Sequence, residues 1–295
     1  MRKRIAYSQN FLKDKALIAN LIAKSAITTN DVVYEIGAGQ GIITEELLKR
    51  SRKVVAFEID ENLFRILARK FTGNKSLDLI HGNFLTYSLP SYPYKVFSNI
   101  PFNITSDVIK KLTQAPKPPD DAFLIVQNEA AKKFIGKPHD SKNSQMAILL
   151  RPWFELEISH KFNRDDFSPK PQVETVLLKI NKRKNPLIKD EAKSQYQDFI
   201  VYTFNQFKPN VIEGLSDVFG KQTILNLART VGFSTNSKPS QLDFNHWFEL
   251  FNFFEKTGNK ALIRGSYARI LEQQNRLEKV HRTRVDKNWK QFRKK

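Results

Sequence analysis

Four consecutive residues, Asn99-Ile100-Pro101-Phe102, combine groups that could act on an aromatic amine. An amine such as adenine N6 is a poor nucleophile, because its lone pair is delocalised into the ring. The Asn99 side-chain oxygen and the Ile100 carbonyl could accept its two hydrogens and so favour a nitrogen whose lone pair attacks a methyl group. Pro101 stiffens the turn, and Phe102 offers a face on which a flipped base could stack. In isolation, such a tetrad is better explained as an ordinary turn after a strand.

A glycine-rich turn, Gly37-Ala38-Gly39-Gln40-Gly41, lies between a predicted strand and a predicted helix. Glycine permits a sharp turn and close approach of a ligand, and the helix N-terminus offers unpaired N–H groups. The spacing is G-x-G-x-G rather than the G-x-G-x-x-G of dinucleotide folds, which disfavours a nicotinamide-dependent dehydrogenase. Glu35, two residues before the first glycine, suits a ligand that carries an amine, such as the methionyl part of S-adenosylmethionine.

Two further strand ends supply groups that could bind a nucleoside. Glu58 follows Gly37 by 21 residues and ends the second predicted strand in a carboxylate, the expected acceptor for ribose hydroxyls. The third predicted strand is followed by Asn83 and Phe84, a polar and an aromatic side chain that could hold adenine. A glycine-rich turn alone is as well explained by tight packing of a strand on a helix. The glycine-rich turn, the carboxylate of Glu58 at the expected distance and the alternation of predicted strands and helices together favour a nucleoside site.

The elements that must position these residues alternate between apolar runs and helical patterns over residues 32–181, which is typical of a parallel sheet covered on both faces. Only a loop separates the last two strands, so we expect the sheet to end in an antiparallel pair. The tetrad at 99–102 follows the fourth strand and should lie at the carboxyl edge, near the glycine-rich turn. The predicted strands are Val32–Ile36, Lys53–Phe57, Leu77–His81, Lys95–Ser98, Ala122–Gln127, Glu155–Phe162 and Thr175–Asn181.

Pattern and charge divide the chain into three predicted parts. Residues 1–182 carry the sheet and form a catalytic domain, and residues 183–257 form a small helical domain. Residues 258–295 form a basic extension with 12 Lys/Arg against 3 Asp/Glu. The predicted helices of the second part are Asp190–Phe207, Val211–Val218, Gln222–Val231 and Phe244–Lys256.

Composition narrows the possible functions. The 295 residues include 49 Lys/Arg and 30 Asp/Glu, a net charge of +19 that makes nucleic acid the leading partner. The absence of cysteine excludes disulfide scaffolds, cysteine-ligated metal centres and thiol nucleophiles. Five scattered histidines, without an i, i+4 pair, predict no metal site. The apolar runs fall short of the roughly 20 residues that span a membrane, so we expect a cytoplasmic protein.

Together these motifs resemble the Erm-type rRNA adenine N6-methyltransferases, relatives of the KsgA-type small-subunit enzymes. The resemblance covers about residues 7–257. It implies an α/β fold with the Rossmann-like, seven-stranded class I methyltransferase sheet, an all-helical C-terminal RNA-binding domain, and S-adenosylmethionine as methyl donor. The motifs that carry it are Ser8-Gln9-Asn10-Phe11-Leu12, Glu35 to Gly41, Glu58, Gly82-Asn83-Phe84, Asn99 to Phe102, Gln127-Asn128-Glu129 and Phe167 to Val173.

The same resemblance implies roles for individual residues. Asn99 would carry the target amine, and Phe102 and Phe167 would stack on opposite faces of the base. The chain departs from the family at Asn83, where Asp is usual as acceptor for the cofactor's adenine amine, so we expect weaker or altered cofactor binding. The predicted catalytic residues are Asn99, Ile100, Pro101, Phe102 and Phe167, and the predicted cofactor-binding residues are Gln9, Asn10, Leu12, Glu35, Gly37, Gly39, Glu58, Ile59, Asn83, Phe84 and Asn99.

Two features favour the large-subunit branch of the family. Asn-Ile-Pro-Phe at 99–102 looks more like Erm proteins than the Asn-Leu-Pro-Tyr of small-subunit enzymes, and residues 205–209 lack the Arg-Arg-Lys cluster expected in the latter. The resemblance then implies a monomer that methylates an adenine in the peptidyl transferase region of 23S rRNA, with resistance to macrolide, lincosamide and streptogramin B drugs. The alternatives are a KsgA-type 16S rRNA dimethyltransferase of small-subunit assembly and an RNA-binding assembly factor that works by occupancy.

Overall fold

A computed structural model of the chain describes residues 10–136, 144–274 and 276. The described residues form two compact units, one from residues up to 135 and 153–185, the other from 136, 144–152 and 186 onward. The second unit therefore includes a short helix at Gln145–Leu150, inside the range 1–182 that the sequence analysis assigned to the catalytic domain. A hydrogen bond helps to hold this short helix in the second unit: the buried Tyr196 hydroxyl donates to the Ile148 carbonyl at 2.9 Å.

The first unit is built on a seven-stranded sheet with the order β4-β3-β2-β5-β6-β9-β7, beside a short pair of β1 and β8. Its strands are β1 Phe11–Leu12, β2 Val32–Ile36, β3 Lys53–Glu58, β4 Leu77–His81, β5 Lys95–Asn99, β6 Asp121–Gln127, β7 Phe154–Lys161, β8 Phe167–Ser168 and β9 Thr175–Lys182. Its helices are α1 Lys15–Lys24, α2 Ile42–Leu48, α3 Glu61–Lys70, α4 Thr105–Gln114 and α5 Asn128–Ile135.

The seven predicted strands are all present, with boundaries within one residue of those expected. β2 through β6 pair in parallel, and the expected antiparallel pair forms between β7 and β9. β9 also pairs antiparallel with β6, because it inserts between β6 and β7. β2 is buried along its whole length, whereas β7 alternates buried and exposed residues as an edge strand does.

The second unit is helical, and aromatic side chains form much of its core. Phe199 and Phe254 stack with ring centroids 4.9 Å apart, and both are fully buried. Its helices are α6 Gln145–Leu150, α7 Lys193–Phe204, α8 Val211–Phe219, α9 Lys221–Val231, α10 Phe244–Thr257 and α11 Lys260–Ile263. No helix in the described ranges combines the length and the apolar character that a membrane crossing requires.

The helical unit continues past residue 257, where the sequence analysis placed its end. Ile263 is buried, and the buried Asp198 carboxylate accepts the N–H groups of Gly265 and Tyr267 at 2.8 and 2.9 Å. These bonds satisfy backbone donors at the start of a helical segment at residues 266–274. Part of the predicted basic extension therefore belongs to the packed unit, and residues 275 and 277–295 lie outside the described part of the chain.

Gly41 stands at the N-cap of α2 with φ +76°, in the left-handed region that favours glycine. A Cβ atom there would lie 2.6 Å from Leu67 Cδ2 and 2.9 Å from Phe71 Cε2. Gly73 has a similar φ of +79°, yet a Cβ atom there would meet nothing within 4 Å. Alanine substitutions at the two glycines therefore distinguish the cost of a left-handed backbone from the cost of steric crowding.

We expect Gly41→Ala to lower the free energy of unfolding by about 2–5 kcal/mol, since it adds left-handed strain and overpacks the α2–α3 contact. Gly73→Ala, the matched control, should cost only about 1–2 kcal/mol, because it adds the strain alone. Urea unfolding followed by circular dichroism measures both values. Equal losses in the two variants would contradict a close-packing role for Gly41.

Candidate functional site

Two neighbouring cavities border the glycine-rich turn, and Gly37 and Pro101 line both. Their volumes are about 40 and 200 Å³. The parallel strands β2, β3, β4 and β5 bring their carboxyl ends to this edge of the sheet. The predicted site residues that line the smaller cavity are Asn10, Leu12, Gly37, Gly39, Asn99, Ile100, Pro101 and Phe102; those that line the larger are Gly37, Glu58, Ile59, Asn83, Phe84 and Pro101.

The cavities lie where the strand order reverses. The chain runs from β2 outward to β3 and β4, then returns to place β5 on the other side of β2, and ligands of open α/β sheets bind at such a switch point. Backbone pairing of β2 with β5 covers only Val33 and Tyr34. Beyond it, the Ile36 N–H donates to the hydroxyl oxygen of Ser98 at 2.6 Å. The sequence analysis did not single out Ser98. Its hydroxyl accepts the last backbone N–H of β2, at the point where β2 and β5 cease to pair.

The orientation of the Asn99 side chain is set by one hydrogen bond at the end of β5. Its Nδ2 donates to the Asn10 carbonyl oxygen at 2.7 Å. A carbonyl can only accept, so the amide must turn its nitrogen to Asn10 and leave Oδ1 for another donor. Asn99 lines the smaller cavity, so its side chain lies at a place where a ligand could bind.

The turn that follows Asn99 positions an aromatic ring beside that oxygen. Ile100 is buried, and Pro101 adopts φ −55°. The Ile104 N–H donates to the Pro101 carbonyl at 3.1 Å, which closes a 3-10 turn that begins at Phe102. Phe102 is only half-buried and lines the smaller cavity, so it remains accessible to a planar ligand.

Glu58 joins the end of β3 to the glycine-rich turn. It is 1% exposed, and its two carboxylate oxygens accept the N–H groups of Gly39 and Asp60, each at 2.8 Å. Each oxygen retains a further lone pair for a hydroxyl donor. Ile59, the next residue, is 48% exposed and lines the larger cavity, where it offers an apolar surface to an aromatic ring. This pairing of a carboxylate with an apolar contact fits a nucleoside.

Asn83 and Phe84 contribute differently to the larger cavity. Phe84 is buried and packs edge-on against Phe57 at 5.3 Å, so it supports the cavity wall from the core. The Asn83 Oδ1 atom accepts the Leu85 N–H at 3.0 Å and caps the turn after β4. This oxygen retains a second lone pair, and Nδ2 carries two donor hydrogens, so Asn83 could bond a ligand as an acceptor or as a donor.

Glu35 does not line either cavity, contrary to the expectation that it meets an amine of the ligand. The side chain is 1% exposed, and its Oε2 accepts the Thr44 hydroxyl at 2.6 Å. Burial raises the pKa of this carboxyl to about 8, and the negative charge of Glu58 adds to the rise. Glu35 therefore carries a proton at neutral pH and fastens β2 to α2.

Phe167 is also not available to a base, contrary to the stacking role that was expected. It is 1% exposed and packs edge-on against Phe162 at 5.4 Å. Its strand β8 pairs with β1, with Leu12 opposite Phe167. The Phe11 ring in β1 lies against Gly39, where an added Cβ would be 2.8 Å from Phe11 Cε1. Phe167 thus anchors the segment that covers the glycine-rich turn.

Two other expectations concern Gln9 and metal binding. Gln9 lies outside the described residues. Within the described ranges, no group of three or more His, Asp or Glu side chains could hold a metal ion.

The protonated Glu35 predicts a specific pH dependence of stability. Between pH 4.5 and 8, Glu35 keeps a proton in the folded chain that it has lost in the unfolded chain. The free energy of unfolding therefore falls as pH rises through this window. Relative to Glu35→Gln, we expect the wild-type free energy of unfolding to drop by about 3–5 kcal/mol from pH 4.5 to 8.

Urea unfolding at a series of pH values measures this difference. Glu45→Gln, on the helix α2 that carries Thr44, is the matched control, because Lys15 and Lys70 lower the pKa of Glu45 to about 2 and its effect should appear only below pH 4.5. Parallel wild-type and Glu35→Gln curves between pH 5 and 8 would contradict a buried, protonated Glu35.

Comparison with known proteins agrees with this geometry. The chain is 29% identical over 253 residues to ribosomal RNA small subunit methyltransferase A of Mycoplasmopsis pulmonis, covering 85% of this chain and 98% of the relative. It is 29% identical over 244 residues to an rRNA adenine N-6-methyltransferase of Bacteroides fragilis, covering 82% and 90%. The crystal structure of the 23S rRNA methyltransferase ErmE matches with a TM-score of 0.75 and 26% identity, covering 84% of this chain and all of the chain in that crystal structure.

These matches confirm the expected class I methyltransferase fold and the expected enzyme class, an rRNA adenine N6-methyltransferase. They also confirm S-adenosylmethionine as the cofactor, which the carboxylate of Glu58 and the apolar surface of Ile59 fit as nucleoside contacts. The family profile described as ribosomal RNA adenine dimethylase matches residues 1–256 of the 295. The chain belongs to the ribosomal RNA adenine dimethylase family.

Proposed function

We propose that this enzyme acts as a cytoplasmic monomer that methylates N6 of one adenine in 23S rRNA, once or twice, and so confers resistance to macrolide, lincosamide and streptogramin B drugs. The observation that carries the chemistry is the Asn99 amide, whose nitrogen is held by Asn10 while its oxygen is left for an amine. The choice of 23S rRNA is supported by the likeness to ErmE and by the Asn-Ile-Pro-Phe tetrad at 99–102.

The chain's own residues would bind and orient both reactants. S-adenosylmethionine, when bound, supplies a methyl group on a sulfonium centre. Glu58 would accept its ribose hydroxyls, and Ile59 would cover its adenine in the larger cavity. In the smaller cavity, Asn99 Oδ1 and the Ile100 carbonyl would accept the two hydrogens of the target N6, and Phe102 would stack on the target ring.

This arrangement explains how a weak nucleophile could react without a strong base. Two acceptors on the amine hydrogens favour a pyramidal nitrogen whose lone pair is free to form the new bond to carbon. The nitrogen becomes acidic as it gains the methyl group, so one of its hydrogens can leave as a proton after the transfer. The site would therefore accelerate the reaction mainly by positioning the target amine, which depends on how firmly Asn99 and Phe102 are held.

We expect Asn99→Ala to reduce the single-turnover rate of methyl transfer to RNA by roughly 10²–10³-fold, a loss typical of removing one oriented hydrogen-bonding group from an active site. Labelled methyl groups counted on the RNA at saturating cofactor measure this rate. Asn30→Ala removes an exposed amide from the same unit and serves as the control. An unchanged rate in Asn99→Ala would show that the amide does not hold the target.

The choice of RNA is tested by offering both substrates. We expect labelled methyl groups to enter protein-free 23S rRNA and not assembled small subunits, and mapping of the modified base should identify a single adenine. Label in small subunits alone would overturn the 23S assignment while leaving the chemistry of Asn99 intact.

The second candidate is dimethylation of 16S rRNA during small-subunit assembly. It is favoured by the relative from Mycoplasmopsis pulmonis, a small subunit methyltransferase of which this chain spans 98%. The conformation of the methyl-transfer site does not distinguish the two candidates, because the same adenine chemistry serves both. The substrate comparison above decides between them.

A further inference from the structure

Two turns line much of the larger cavity. One follows β4 and contributes residues 82–85 to the lining, and the other leads into α4 and contributes residues 101 and 103–104. α4 runs without a break from Thr105 to Gln114 and contacts both turns. A bond between the body of α4 and the first turn therefore fixes the two turns relative to each other. Because both turns line the cavity, their relative position determines its shape.

Lys111, in the second half of α4, makes that bond. Its ammonium group donates to the Leu85 carbonyl at 3.0 Å and to the Tyr87 carbonyl at 2.6 Å. The same nitrogen lies 5.6 Å from the centroid of the Phe84 ring, within the range of a cation–π interaction. Residues 84–86 form a 3-10 turn, and the last carbonyls of such a turn lack a partner inside it. One lysine therefore supplies the hydrogen bonds that the end of this turn requires.

The environment of Lys111 differs from that of a solvated surface lysine. Its side chain is partly buried, and burial lowers the pKa of its ammonium group because the charged form loses hydration there. An ammonium group has three donors, and the carbonyls of Leu85 and Tyr87 occupy two of them. The adjacent Lys110 makes no side-chain hydrogen bond to residues 83–87 in the described part of the chain. Lys110 is therefore the natural comparison on the same helix.

Asn83 fastens the opposite end of the same turn. Its Oδ1 atom accepts the Leu85 N–H at 3.0 Å, so Leu85 is held through its N–H by Asn83 and through its carbonyl by Lys111. Asn83 and Leu85 both line the larger cavity, whereas Lys111 lines neither cavity. A displacement of Leu85 would therefore move the Asn83 amide at the place where a ligand could meet it.

We propose that Lys111 is a positioning residue for the cofactor, because it holds residues 83–87 in the position in which the larger cavity accepts the adenine ring of S-adenosylmethionine. It lies outside the lining and acts through the Leu85 and Tyr87 carbonyls. Outer groups of this kind fix the residues that meet a ligand in their productive geometry. The inference rests on the proposed placement of the cofactor's adenine in this cavity, and it deepens that placement by assigning the residue that holds one wall.

Cofactor binding to the full-length protein without RNA tests this role, and isothermal titration calorimetry measures it. Lys111→Met keeps the length of the side chain and removes its charge and donors. The Kd for S-adenosylmethionine should rise about tenfold, as expected for losing a hydrogen bond to a charged group. Lys110→Met removes the same charge one residue away and should leave this Kd unchanged. Because Asn99 and Phe102 are not altered, the KM for the cofactor in RNA methylation should rise while kcat stays near the wild-type value.

A second probe separates a defect at the adenine from a general loosening of the site. Methylthioadenosine has the nucleoside of the cofactor without its amino-acid part. If Lys111 acts on the adenine alone, Lys111→Met should weaken the binding of methylthioadenosine and of S-adenosylmethionine by the same factor. A clearly larger loss for S-adenosylmethionine would show that the glycine-rich turn has also moved, and it would contradict the proposal.

Urea unfolding verifies that each variant is folded under the conditions of the binding measurement. Lys111→Gln is a milder change, since it retains an amide donor on a shorter, uncharged side chain, and it should raise the Kd by about threefold. If Lys111→Met does not fold, an unchanged Kd in Lys111→Gln is enough to overturn the proposal.

The double variant Asn83→Ala, Lys111→Met tests whether the effect passes through the turn. Substitutions that act on the same group of contacts are not additive, so the loss of affinity in the double variant should be smaller than the product of the two single losses. Additive losses would show that Lys111 acts elsewhere.

A wild-type Kd in Lys111→Met would overturn the proposal, and so would an equal loss in Lys110→Met, which indicates a general effect of charge. The placement of the cofactor is tested separately. Ile59→Ala, at an apolar side chain that lines the larger cavity from another segment, should raise the Kd for methylthioadenosine. An unchanged Kd in Ile59→Ala refutes the placement itself, whereas a loss in Ile59→Ala with none in Lys111→Met refutes only the role of Lys111.

Discussion

The candidate site depends on how β2 and β5 end, because the residues that follow these two strands line it. These neighbours pair for only two residues, and beyond Tyr34 the Ser98 hydroxyl takes the place of a backbone acceptor for the Ile36 N–H. After β2 the chain continues into the glycine-rich turn, and after β5 it continues into the turn at Asn99 to Phe102. Gly37, after β2, and Pro101, after β5, line both cavities, so the turns that follow these two strands form adjoining walls of the candidate site.

Buried polar groups hold these two turns in place. Glu58 fastens the glycine-rich turn through the Gly39 N–H, and Asn99 fastens the N-terminal segment through the Asn10 carbonyl. Burial raises the pKa of the Glu35 carboxyl beside Thr44, because a charged carboxylate in the interior would lose its hydration. Positioning of this kind is what methyl transfer to a weak nucleophile requires, because the residues supply orientation more than acid or base strength.

The net charge of +19 favours a polyanionic partner, which agrees with membership of a family that acts on rRNA. The helical unit packs around an aromatic core that includes Phe199 and Phe254, whereas Phe207 is exposed. In the first unit, Phe102 lines the smaller cavity at the edge of the sheet.

The sequence by itself determined the sheet, because strands buried on both faces are continuous apolar runs and the edge strand β7 alternates. It also determined most of the site, since residues at the ends of parallel strands must meet at one edge, as Gly37, Glu58 and Asn99 do. Only the tertiary structure decided the side-chain roles that depend on partners distant in sequence. Phe167 is buried in the core, on a strand β8 that pairs with β1. Glu35 does not line the cavities, and its carboxyl group accepts a hydrogen bond from the Thr44 hydroxyl. Spacing along a chain fixes where a residue lies on a strand, whereas the direction and charge of its side chain follow from neighbours that only folding brings together.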